Sequence, residues 1–380
     1  LLPRSTRCAS PAPLRKRDGK DSMPNDDLIS SSALRLFADV ADIQAVLATK
    51  DTGWKDRLWT GIEKTGLNVA ARPEDLGGAG MGIGDSLGIL RAAGQMALAA
   101  PLAETILAGW MLGAAGLEMP SGKIAFGPSS FSDEVTLHGD GSVSGRIVRL
   151  SFARECSHVA LLADGSAGLS VVLIALDEAS IEQNSNLAYD PVDRVTFSRC
   201  RVVAMRPAPA AFTVDTALLM GAAARSLQIA GALEKMLALT TDYVMQRRAF
   251  ERLISGFQAV QHNVAQLAGE VAVSVSAARS AADALETLLK EGRGFNDPEL
   301  RLEVISAKIR TASAAQKGAA IAHQLHGAIG VTREHVLHRL TLRALAWRDD
   351  YGNESQWRER LGQLVCEQKP AALWPLLATR

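Results

Sequence analysis

The chain has 380 residues, of which 47% are hydrophobic and 22% are charged. This is the composition of an ordinary globular protein of two or three domains, which excludes a disordered, collagen-like or disulfide-scaffold chain. Lys+Arg and Asp+Glu both number 41, and only 5% of the residues are aromatic. Because the chain has neither a basic excess nor many rings for base stacking, we do not expect nucleic acid to be its partner.

The first 22 residues are rich in Arg and Lys and differ from the rest. They are interpreted as a disordered or non-native leader, either translated sequence upstream of Met23 or the remnant of a transit peptide. The cysteines are widely spaced, which favours free thiols without a metal site. The most apolar stretch, 94–117, contains Pro101 and Glu104 and therefore predicts buried helices, not a membrane span. We expect a cytoplasmic bacterial protein, with the mitochondrial matrix as the alternative.

The order of predicted elements indicates an α+β multidomain protein. Residues 23–120 are rich in Ala, Leu and Met, which predicts a helical N-terminal domain. Residues 121–208 contain short β-rich runs between turn sequences, which predicts a small antiparallel β-sandwich or barrel. Residues 209–380 are predicted to form a C-terminal helix bundle, and an apolar stripe over 257–289 predicts one unbroken helix within it. The predicted strands are 143–150, 159–163, 169–176 and 192–203.

Three segments carry more specific signals. Tyr-Val-Met-Gln-Arg-Arg-Ala-Phe at 243–250 leads into Phe257 and Gln258, and Gln-Leu-His-Gly-Ala-Ile-Gly occupies 324–330. Pro-Glu-Asp-Leu-Gly-Gly-Ala-Gly lies at 73–80. Each segment alone is also explained by a solvated helix end, a helix C-cap or a loop. As a set, and with the helix–strand–helix order, they resemble the acyl-CoA dehydrogenase family from residue 28 to the C-terminus.

The resemblance implies the family's fold, with a four-helix bundle at the C-terminus, and FAD between the β domain and the bundle, reaching a second subunit. It places Arg247 against the FAD diphosphate, where the fork of a guanidinium matches phosphate oxygens. It places 151–153 beside the flavin ring. Glu251 replaces a family glycine, and its carboxylate would weaken diphosphate binding unless it points into solvent. The other implied cofactor-binding residues are Phe250, Phe257, Gln258, Gln324, Gly327, Gly330 and Gln356.

The implied function is α,β-desaturation of an acyl-CoA thioester, as in fatty acid β-oxidation, by a dimer or tetramer that passes electrons to an electron-transfer flavoprotein. FAD carries the redox chemistry, and a carboxylate base removes the α proton. Family members carry a glutamate for this purpose before the last helix, or in the helix that precedes Arg247. Here the first position falls on Tyr351 or Gly352 and the second near Gly221, so no acid occupies any of them.

Three explanations for the missing base are open. A neighbouring carboxylate, Asp350 first and Glu354 second, has taken over its role. Alternatively, the chain is a non-catalytic flavin-binding or structural subunit of a heteromeric acyl-CoA dehydrogenase, as among steroid side-chain enzymes, and a paralogous subunit supplies the base. Thirdly, the scaffold serves another flavin reaction. Independently of these, Asp350 or Asn353 is suited to N-cap a helix predicted at 354–364.

Overall fold

The computed structural model describes residues 25–42, 46, 53–368 and 370–378. The predicted leader, residues 1–22, lies outside the described residues. Within this part of the chain, four helices come first, and their buried faces are rich in Ala, Leu and Ile, as predicted from composition. They are α1 (Asn25–Ala41), α2 (Trp54–Thr65), α3 (Ile83–Gln95) and α4 (Leu102–Ala114).

A small β barrel follows. Its strands are β1 (Ile124–Gly127), β2 (Glu134–Leu137), β3 (Ser142–Ser151), β4 (His158–Gly165), β5 (Ser170–Ala175), β6 (Ser180–Glu182) and β7 (Val192–Pro207). Strands β4, β2, β3, β7 and β5 pair in succession, and β5 pairs back with β4, which closes the barrel. The predicted barrel is therefore confirmed, and the four predicted strands are present as β3, β4, β5 and β7.

The pairing differs from an all-antiparallel sheet around β4, which is parallel to both β1 and β2. Strand β3 runs antiparallel to β2. The chain reverses again before β4, and β4 then lies beside β2 in the same direction. Strands β1, β2 and β6 were not predicted because each has only three or four residues, too few to show a period.

The C-terminal part is helical, as predicted. Its helices are α5 (Thr216–Gln246), α6 (Gln258–Lys290), α7 (Pro298–His326), α8 (Leu337–Asp349), α9 (Glu354–Glu367) and α10 (Pro370–Ala378). A short hairpin of β8 (Arg248–Ala249) and β9 (Arg252–Leu253) joins α5 to α6. Helix α6 confirms the predicted apolar stripe. Helix α5 is long and apolar enough to cross a membrane, but its apolar window is entirely buried because it packs against α3, α6, α7 and α8.

Helices α3 and α5 cross with their backbones in contact, because each has a glycine at the crossing. A Cβ atom on Gly94 would lie 2.0 Å from the carbonyl oxygen of Gln228, and a Cβ atom on Gly231 would lie 2.0 Å from that of Arg91. An ion pair between Arg91 and Glu234 lies beside this crossing. The N-terminal helices are thus held directly against the central helix of the bundle.

We expect Gly94→Ala to destabilise the protein by about 1–3 kcal/mol, because the added methyl group forces the two backbones apart. Gly269→Ala on α6 is the matched control, since no atom lies within 4 Å of its added Cβ. This control is expected to raise the stability by about 0.5–1 kcal/mol through helix propensity. Urea unfolding followed by circular dichroism measures both. A Gly94→Ala protein as stable as Gly269→Ala would contradict the close crossing.

Candidate functional site

A cluster of buried charges lies where α4, α5 and the turn after α8 meet. Arg225 of α5 is only 2% exposed. Its Nη2 donates to Oε1 of Glu104 on α4 at 2.5 Å, and its Nε donates to Oδ2 of Asp350 at 3.1 Å. Its Nη1 donates to Oε1 of Gln228 at 2.6 Å, and Nη2 also reaches Oγ of Ser151 in β3 at 3.3 Å. One guanidinium therefore joins both helical parts and the barrel.

The electrostatics of this cluster follow from burial. Burial raises the pKa of Glu104, and the charge of Arg225 offsets part of this effect. Burial alone would lower the pKa of Arg225, but the carboxylates of Glu104 and Asp350 outweigh it and raise the pKa above its ordinary value. The guanidinium thus stays charged, and two carboxylates compensate it. Sequence reasoning did not identify Arg225, although a lone arginine within an apolar helix was an available signal.

The two positions that the resemblance gives for the base meet in space. The ring of Tyr351 packs on Gly221, where an added Cβ atom would lie 2.2 Å from the ring. The guanidinium of Arg225 lies 5.5 Å from the centre of the same ring. Burial raises the pKa of Tyr351 well above its ordinary value, so the phenol is neutral near pH 7. A neutral aromatic ring therefore fills the space at both positions.

The predicted replacement carboxylates precede and follow Tyr351 in the chain. Asp350 is buried and both of its oxygens face guanidinium groups, since Oδ1 also lies 3.7 Å from Nη2 of Arg149. Glu354 lies in the first turn of α9, about a quarter exposed, and pairs with Arg358. Asn353 is the N-cap of α9, and Asp350 is not. The roles of Asp350 and Glu354 as bases stay predictions.

A buried lysine holds the turn that carries these residues. Lys308 of α7 donates from Nζ to the carbonyl oxygens of Trp347, at 2.9 Å, and Asp350, at 2.7 Å. It is fully buried, and this burial lowers the pKa of Lys308 to about 7. It thus binds the carbonyl of Asp350, the C-cap of α8, and adds a second donor to the carbonyl of Trp347, which also accepts the N–H of Asp350 at 3.3 Å. Sequence reasoning did not identify it.

The space between the barrel and α9 is closed by side chains. Phe131 packs edge-on against Trp357, with ring centres 5.0 Å apart, and a Cβ atom on Gly352 would lie 2.7 Å from both side chains. Gln356 takes part in the cap of α9, because its side chain accepts the N–H of Asn353 at 3.0 Å, and its role in binding the cofactor stays a prediction. Phe131 and Trp357 thus occupy the space beside Gly352.

The other predicted cofactor residues gather at one end of the bundle, where α5 and α7 end and α6 begins. The ring of Tyr243 stacks on His326, with centres 4.5 Å apart, which joins the two motif segments. Five motif residues are exposed there, whereas Phe257 is half-buried and Gly330 is buried. The exposed motif residues, named here the motif surface, are Arg247, Phe250, Gln258, Gln324 and Gly327.

Glu251, which replaces the family glycine, lies in the short hairpin between α5 and α6 and keeps a glycine-like backbone conformation. Its φ is +64°, a left-handed conformation that glycine adopts without strain. Glu251 is exposed, which meets the condition set for a diphosphate nearby. Phe250 also has a positive φ, of +52°, and its ring is 87% exposed. Arg247 makes no ion pair within the described part of the chain.

Comparison with known proteins gives a consistent result. Residues 213–356 match the family described as "Acyl-CoA dehydrogenase, C-terminal domain". The chain is 27% identical over 317 residues to acyl-CoA dehydrogenase IpdE2 of Mycobacterium tuberculosis, which covers 83% of this chain and 88% of the relative.

Two solved structures share the fold. One is the ChsE4-ChsE5 complex from Mycobacterium tuberculosis, with a TM-score of 0.76 and 20% identity over 92% of this chain and 99% of that chain. The other is PigA with FAD and proline, with a TM-score of 0.75 and 16% identity over 91% and 98%. At these identities the likeness establishes the fold alone.

Lys308 predicts a pH dependence of stability. Its pKa of about 7 in the folded chain lies below the ordinary value of about 10.4, so the unfolded chain binds more protons between these pH values. Lys308 therefore makes the free energy of unfolding rise with pH, by roughly 2 kcal/mol from about pH 7 to about pH 9. Urea unfolding at several pH values should show this rise in the free energy of unfolding for the wild type and not for Lys308→Met. Lys317→Met, at an exposed lysine of the same helix, should retain it, and an unchanged slope in Lys308→Met would contradict the assignment.

Proposed function

We propose that the chain is a member of the acyl-CoA dehydrogenase family and one subunit of an FAD-dependent enzyme that desaturates an acyl-CoA thioester, with the base supplied by a paralogous subunit. The match of residues 213–356 to the family's C-terminal domain and the 27% identity to IpdE2 support this proposal. The observation that carries the proposal is the packing of Tyr351 on Gly221, which leaves no carboxylate at either expected position. Electrons then pass to an electron-transfer flavoprotein, and the assembly is cytoplasmic.

The interior of this chain supports the assignment of the base to a partner. A catalytic base must reach the substrate α-carbon from a dry pocket. Asp350 instead faces Arg225 and Arg149, and Glu354 faces Arg358. An acyl chain would also have to displace the Tyr351 ring and the ions around Arg225. We therefore infer that this interior serves the stability of the subunit.

The motif surface supports a second role, the binding of FAD that is held mainly by the neighbouring subunit. Exposed Arg247 has an uncompensated guanidinium within the described residues, which suits a diphosphate. The exposed Gly327 has a φ of +66° and no atom within 4 Å of an added Cβ, so the backbone there is open to close approach by a ligand. When bound, FAD supplies the acceptor for the β hydride. Similarity to a chain of the two-protein ChsE4-ChsE5 complex supports a paralogous partner.

The first test measures FAD in the assembly. We expect the chain to be colourless when purified alone, and yellow when co-purified with a paralogue that carries the family glutamate. Arg247→Ala should weaken FAD binding by the assembly about 10–100-fold, the loss expected for hydrogen bonds to a charged group. The neighbouring exposed Arg248→Ala is the control and should bind FAD as the wild type does. Full FAD affinity in Arg247→Ala would contradict the role of the motif surface.

The second test asks whether the chain has its own base. We expect no bleaching of flavin when the isolated chain, supplied with FAD, meets mixed acyl-CoA thioesters without oxygen. Within the assembly, Asp350→Asn should lower stability and leave turnover per folded complex unchanged, because its carboxylate serves Arg225. Turnover by the isolated chain that Asp350→Asn abolishes and Glu354→Gln retains would name Asp350 as the base and overturn the need for a partner.

A further inference from the structure

A second site lies at the opposite end of α8 from Tyr351. A cavity of about 560 Å³ opens between the end of α7, the first two turns of α8 and the loop before β7. Its volume lies within the roughly 300–1,000 Å³ of small-molecule sites. Helix α8 has 13 residues and so separates the two sites by roughly 20 Å at 1.5 Å per residue. The cavity is therefore distinct from the cluster around Arg225.

The lining of the cavity is basic. Arg333, Arg339 and Arg343 line it with His323 and His338, and no acidic side chain within the described ranges does so. Arg343 is already compensated, because it donates to both oxygens of Asp190, at 2.6 and 2.8 Å. Burial lowers the pKa of His323, so this imidazole is neutral near pH 7. The uncompensated positive charge thus belongs to Arg333 and Arg339.

Of the two arginines, Arg339 gives the stronger indication of an anion site. It is half-buried and has neither an ion pair nor a hydrogen bond from its side chain among the described residues. Burial, and then the charge of Arg343, lower the pKa of Arg339 to about 10, although the charge of Asp190 offsets part of this effect. A half-buried guanidinium beside a second arginine is unfavourable unless an anion binds to it. The cavity is where such an anion has room.

The start of α8 adds to the positive electrostatic potential of the cavity. The helix has no acidic residue in its first turn, where Nδ1 of His335 accepts the N–H of Leu337 at 3.2 Å, and the helix start carries a partial positive charge. His338 and Arg339 lie in that first turn. At the mouth, the ring of Tyr189 is 79% exposed and offers an apolar face to an organic group. His323 donates to Thr341, whose hydroxyl donates to the carbonyl of His338, which fixes the wall between them.

We propose that this cavity binds a diphosphate-bearing small molecule, with the diphosphate against Arg339 and Arg333 and its organic part against Tyr189. Two arginine forks and a helix start match the oxygens and charge of a diphosphate. No acid in the lining competes for the arginines. The arginines proposed to hold the diphosphate are different from Arg247, although the cavity borders the motif segment at 324–330, since an added Cβ atom on Gly330 would lie 3.2 Å from Nδ1 of His323.

Calorimetric titration of the full chain with ADP, pyrophosphate and adenosine tests the proposal. We expect ADP and pyrophosphate to bind, more weakly as salt rises, and adenosine not to bind. Arg339→Met should raise the Kd of ADP at least tenfold, and Arg348→Met, on the same helix but outside the cavity, should leave it unchanged. Because its guanidinium lacks a partner, Arg339→Met should not lower the melting temperature.

Three results would overturn the proposal. Adenosine that binds as tightly as ADP would make the site apolar, not anionic. ADP binding that Arg247→Ala abolishes and Arg339→Met retains would place the nucleotide on the motif surface. No binding of ADP or pyrophosphate at millimolar concentration would remove the site altogether. The arm with Arg247→Ala also separates this inference from the FAD assignment, which is tested in the assembly.

Discussion

The charge on Arg225 has to be compensated inside the protein, and the surrounding fold is arranged to do so. Glu104 and Asp350 come from elements far apart in the chain, and each accepts a hydrogen bond from the same guanidinium. A buried ion pair contributes little net stability, but the loss of one partner costs about 3–5 kcal/mol because the other charge stays buried. Helix α4, helix α5 and the turn after α8 must therefore keep their relative positions, and Lys308 secures that turn through two carbonyl groups.

This constraint separates the interior of the chain from its surface. A site for an acyl chain is normally hollow and mostly apolar. Here the corresponding volume holds ions and a tyrosine ring whose positions depend on each other, and Phe131 and Trp357 close the side toward the barrel. The motif surface is not under this packing constraint, since Arg247 and Gln324 are exposed. Under the proposed function, the chain contributes to a site at its surface, and its interior serves the stability of the subunit.

The parts of the structure that were predictable are those with a local signal. The stripe of α6 repeats over nine turns, and the longer strands have β-rich runs between turn sequences, so both were predicted. Two candidates for the N-cap of α9, Asp350 and Asn353, followed from the sequence, and in the structure the N-cap is Asn353. The Arg225 cluster was not predictable, because Glu104, Arg225 and Asp350 are more than a hundred residues apart and only the packed fold brings them together. A buried lysine such as Lys308 leaves no sequence signal different from that of an exposed one.

The two positions that lack a carboxylate, 221 and 351, are in contact in the folded chain. The ring of Tyr351 occupies the place that a side chain at 221 would need, because a Cβ atom there would lie 2.2 Å from the ring. A glutamate at 221 would therefore require a smaller residue at 351. Conversely, an acid at 351 would be buried next to Glu104 and Asp350, and like charges in a buried site cannot all ionise. The guanidinium of Arg225, already shared by two carboxylates, cannot compensate a third. Restoring a base to this chain would thus require changes on α4, α5 and the turn after α8 together, which agrees with the proposal that another subunit supplies the base.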